Sequence, residues 1–152
     1  MKSSHPTGLH FHRRNPHPNK GEHCDCVTRA IVLATGKPYS MVFNGLHDLM
    51  QDYDIPGTPK GGCLDSIARH YLSRRCGWDY VSLPKGTQFK ADNLPELCIA
   101  VQAGHYVLVA KGSIWDTFDS RGKRRKKLTG YYEPGCRAAA VASDWVSSTK
   151  SG

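Results

Sequence analysis

The spacing of apolar residues changes once along this chain, and that change restricts the folds open to it. Up to Gly77 the apolar side chains recur at helical intervals; from Trp78 onward they alternate or run together as strands do. Val27, Ala30, Ile31 and Ala34 mark one face of a helix over 26–35, with Asp25 as its N-cap and Gly36 just past its end. Val42, Leu46, Leu49 and Tyr53 mark a second helix over 39–52. Leu64, Ile67, Ala68 and Tyr71 mark a third over 63–75, which Gly77 ends. Strands follow at 80–83, at 97–102, from His105 to Ala110 and over 114–119, with turns at Ala103-Gly104 and Lys111-Gly112-Ser113. The last three of these form an antiparallel meander. Helices first and sheet second is an α+β order: N-terminal helices packed on a C-terminal antiparallel sheet.

The ends of the chain read differently. Residues 1–20 hold four histidines and three prolines without periodicity, so they are expected as an extended arm. Residues 21–146 make one domain and 147–152 a flexible tail, since 152 residues suffice for one core but not two. No run is apolar enough to cross a membrane or to serve as a secretory signal, so a cytoplasmic protein with reduced thiols is expected. Cys63, Cys76 and Cys98 lie among apolar neighbours and read as small buried hydrophobes. The formal charge of +8 is uneven. Arg121, Lys123, Arg124, Arg125, Lys126 and Lys127 form a basic block, read either as a polyanion or nucleic-acid contact or as a solvated loop.

Chemistry concentrates elsewhere. Cys26 stands at the expected first turn of a helix, where unpaired N–H groups and the helix dipole favour a thiolate. Of the eight histidines, His105 alone stands inside the apolar sheet region, directly after Gly104. A carboxylate on the next strand would hold the imidazole in its working tautomer. If Lys111-Gly112-Ser113 is a three-residue turn, Asp119 lies opposite His105 and Asp116 opposite Leu108, so Asp119 is the expected partner and Asp116 the alternative. Trp115 would share the face of Asp119. A two-residue turn would instead bring position 118 opposite His105. A competing zinc site could use His17, His23, Cys24 and Cys26, but the Cys-x-Cys spacing is tighter than usual and no second ligand pair follows, so no metal and no cofactor are expected.

The run Asp25-Cys26-Val27-Thr28-Arg29-Ala30-Ile31, with Gly104-His105-Tyr106-Val107 and Trp115-Asp116-Thr117-Phe118-Asp119, resembles the papain-like cysteine proteases. Within them it is similar to the C39-like and transglutaminase-like branches and to small phage proteins of this fold. The likeness covers about residues 20–120. It implies a papain-like core, a nucleophilic thiol at Cys26, a base at His105 and an orienting acid at Asp119. It also implies cleavage or transfer at an amide or isopeptide bond of a protein or peptide, in a host cytoplasm or virion if the chain is phage-encoded. Papain-like enzymes carry an oxyanion-hole side chain, often glutamine, shortly before the cysteine. Here that place falls on Lys20, and its neighbour Asn19, or His23, would have to donate instead. A non-catalytic basic protein that keeps the fold is the alternative function.

Overall fold

A computed structural model describes residues 7–16, 25–61, 65–117, 119–121 and 127–135. Among the described residues, three helices and a six-stranded sheet make up an α+β fold. The helices α1 (Cys26–Thr35) and α2 (Tyr39–Asp52) have the expected bounds. Gly36 ends α1 in the left-handed conformation and returns its N–H to the Val32 carbonyl at 2.9 Å. The third expected helix, 63–75, is described from Asp65 onward and changes its winding part-way. α3 (Asp65–His70) passes into a wider π-type turn, Tyr71–Arg75, before Gly77 redirects the chain.

The strands are β1 (His10–Arg13), β2 (Trp78–Ser82), β3 (Leu97–Gln102), β4 (His105–Ala110), β5 (Ser113–Asp116) and β6 (Gly130–Pro134), in the order β1-β5-β4-β3-β6-β2. The meander β3–β4–β5 is antiparallel as expected. The sheet as a whole is mixed, because β1 lies parallel to β5. Part of the N-terminal arm is therefore an edge strand, and Leu9 beside it is buried in the core. β6 inserts between β3 and β2, and only a glycine suits Gly130. A Cβ there would stand 2.3 Å from the Tyr80 hydroxyl, which lies across it.

The two faces of the sheet bury separate apolar clusters. Ile99, Val101, Tyr106, Leu108, Trp115 and Tyr132 meet α1, α2 and α3 on one side. Cys98, Ala100, Val107, Val109 and Ile114 meet Leu9, Phe89 and Leu128 on the other. Helices cover one face and irregular chain covers the second.

The β4–β5 turn corrects the expected register. Lys111 and Gly112 both adopt positive φ (53° and 75°), as a two-residue hairpin turn requires, and Ser113 already pairs with Ala110. Leu108 thus faces Trp115, not Asp116, and every residue of β5 moves by one step. Trp115 belongs to the helix-side cluster, with its indole N–H on the Ala110 carbonyl at 3.2 Å and the His12 ring stacked on it.

Candidate active site

Cys26 is the first residue of α1, and α1 packs against β4 and β5. That packing brings the thiol to the start of β4, where it lies 3.9 Å from the Gly104 carbonyl and is hydrogen-bonded to His105. His105 in turn bonds Asp116, Nε2 to Oδ2 at 2.7 Å, with both side chains buried. An ionised carboxylate only accepts, so Nε2 is the donor in that contact, and Nδ1 is the nitrogen that serves the sulfur. The corrected register explains the partnership. One step beyond the Leu108–Trp115 pair, Asp116 stands diagonally across from His105, within reach of a long side chain.

Asp119, the expected partner, is committed elsewhere. Its Oδ1 accepts the backbone N–H of Arg121 at 3.1 Å and Nε at 2.8 Å, and its Oδ2 accepts Nη2 at 2.6 Å. Arg121 does not belong to a solvated basic loop either. It is buried, and its Nη1 donates to the Leu9 carbonyl at 2.8 Å and the Thr7 hydroxyl at 2.6 Å. Lys127 is exposed, whereas Lys123, Arg124, Arg125 and Lys126 lie outside the described residues. So do Asn19, Lys20, His17, His23 and Cys24. Among the described residues no cluster of three or more His, Cys, Asp or Glu side chains could hold a metal.

The electrostatics of the pair favour a thiolate and an imidazolium. Burial pushes the Cys26 thiol up, but the hydrogen bond and charge of His105, the backbone N–H of Tyr106 and the Arg29 guanidinium together bring it below its ordinary value. For His105, burial acts downward and is outweighed by the bonds to Asp116 and Cys26, which raise it from 6.5 to about 9. The other described cysteines behave differently. Burial raises both Cys76 and Cys98. Cys98 is buried as expected, Cys76 is only partly buried, and Cys63 lies outside the described residues.

A second layer of the site is not apparent from the motif. Asp25 occupies the N-cap position but makes no capping bond. Its carboxylate instead pairs with Arg29 one turn on and accepts the Tyr39 hydroxyl from α2. Arg29 Nη2 lies 3.7 Å from Asp116 Oδ1, the oxygen that also accepts the Thr117 N–H at 2.7 Å. The sequence does carry a signal for this group. Arg29 is the one charged side chain in a helix whose residues from Val27 to Thr35 are all buried.

In comparisons with known proteins, no family model, no curated protein and no solved structure matches the chain.

Proposed function

We propose that this chain is a papain-like cysteine hydrolase or acyl transferase acting at an amide or isopeptide bond of a protein or peptide in the cytoplasm. One observation carries the reading: a helix-terminal thiol bonded to an imidazole that is itself bonded to a buried carboxylate. In the reaction the Cys26 thiolate attacks the amide carbon, and the carbonyl electrons move onto oxygen. As the tetrahedral adduct collapses, the C–N bond breaks and His105 gives its proton to the departing amine, leaving a thioester on Cys26. Water, or an acceptor amine, then attacks the thioester while His105 takes its proton. The C–S bond breaks, releasing the acid or the new amide and restoring the Cys26 thiolate beside protonated His105. Asp116 keeps the ring turned with Nε2 toward the carboxylate throughout. No cofactor enters these steps.

Iodoacetamide labelling across pH, read by peptide mass, tests the reading. Near pH 6 Cys26 should label well ahead of Cys76 and Cys98, and His105→Ala should abolish that lead. Equal labelling of the three cysteines at every pH would overturn the proposal.

A further inference from the structure

We propose that Arg29 is a positioning residue of this site, clamping the Asp116 carboxylate for His105 while Asp25 and Tyr39 hold the guanidinium itself. The proposal rests on the cysteine-nucleophile reading above.

A guanidinium buried in the middle of a packed helix is costly unless carboxylates and further hydrogen bonds surround it. Two carboxylates do so here, Asp25 from the turn before α1 and Asp116 from β5. The contacts form one chain through the molecule. The Tyr39 hydroxyl donates to Asp25 Oδ2, and Asp25 Oδ1 meets Arg29 Nη1. Arg29 Nη2 faces Asp116 Oδ1, Asp116 Oδ2 accepts from His105 Nε2, and His105 serves Cys26. Once the thiol has ionised, the charges alternate from end to end: Asp25 negative, Arg29 positive, Asp116 negative, His105 positive, Cys26 negative.

Stability alone does not call for this arrangement. A buried ion pair rarely outperforms apolar residues of the same volume, and the Asp25–Arg29 pair would be complete without a third partner. What the third partner adds is local to the thiol site. A cation on the Asp116 oxygen that His105 does not use opposes rotation of the carboxylate. Together with the Thr117 N–H it fixes Oδ1, so that Oδ2 stays aimed at the ring. The same cation favours the thiolate. Among the described residues, the titratable and charged groups facing the chain are Cys26 and Arg29 from α1, Asp25 before it, Tyr39 from α2, His105 from β4 and Asp116 from β5, with Arg13 of β1 beside Asp116 in the ladder.

The experiment is the pH–rate profile of Cys26 alkylation in Arg29→Met and Arg29→Lys, with thiolate ultraviolet absorbance titrated in parallel and thermal melting to confirm folding. Arg29→Met should move the acid limb upward by about one unit. That is about a tenfold loss of rate near pH 6, with the rates converging where every thiol is ionised. Arg29→Lys, which restores the charge without the fork, should recover part of the shift. If Arg29→Met does not fold, Asp25→Asn/Arg29→Met, which removes both members of the buried pair, is measured in its place, with the same shift expected. A folded variant whose acid limb matches wild type overturns the proposal and leaves the nucleophile reading standing. A rate loss equal at every pH overturns it too, as a sign of general loosening. Wild-type Cys26 titrating as an ordinary thiol overturns the nucleophile reading and this proposal with it.

Discussion

Asp116 and Asp119 show how a single backbone angle decides which carboxylate faces an imidazole. The thiol and the imidazole could be picked out from the sequence, because one is a cysteine at a helix start and the other a histidine at the head of an apolar strand. The acid could not be settled that way. Lysine seldom adopts positive φ, so Lys111 gave no sign that the β4–β5 turn takes two residues instead of three. Arg29 escaped for another reason: a helical stripe is found by its apolar positions, and a charge among them draws notice only once every neighbour is known to be buried. The assignment of the acid is open to test. Asp116→Asn should cut Cys26 alkylation near pH 6 by about tenfold or more, since it removes the charge that supports the imidazolium. Asp119→Asn should leave it close to wild type. The reverse ranking, from the same labelling time courses, would move the acid to Asp119.

Among the elements, α1, α2 and the β3–β4–β5 meander follow from periodicity and turn residues, whereas β1 and β6 do not. β1 is four residues, His-Phe-His-Arg, in a stretch without alternation, and its stability comes from partners distant in sequence. β6 begins on a glycine and ends on a proline, and both weaken a strand signal. What secures the N-terminal strand is a side chain 112 residues away from Leu9: Arg121 holds the Leu9 carbonyl and Thr7 while Asp119 holds Arg121. Arg121→Ala should therefore destabilise the domain by about 1–3 kcal/mol, because buried polar groups lose their partner. Lys127→Ala removes the same charge from an exposed position and should change the melting temperature little. Equal effects in the two denaturation curves would show that charge, not the clamp, governs stability here.

For the whole molecule, one sheet separates a helical layer from a layer of irregular chain, and the candidate site sits where α1 begins against the β4–β5 hairpin. No helix among the described residues is long and apolar enough to cross a membrane. Ionisation at the site is coupled to folding of the domain. The His105 value rises from 6.5 unfolded to about 9 folded, so its contribution is fully present below about 6.5 and is lost as pH climbs through about 9. Cys26, lowered on folding, acts in the opposite sense: its contribution is present above 9.0 and is lost as pH falls through its folded value. The gap in melting temperature between wild type and His105→Gln should thus be widest near pH 6 and narrow toward pH 9.5. A gap that widens over that range would contradict the ion pair. β1 carries a practical consequence as well. The Arg14 N–H bonds the Asp116 carbonyl at 2.7 Å, and Arg13 lies beside Asp116 in the ladder. The backbone of the supporting acid is therefore tethered to the first stretch of the chain. Trimming or protease nicking between residues 7 and 14 would reach the candidate site through Asp116.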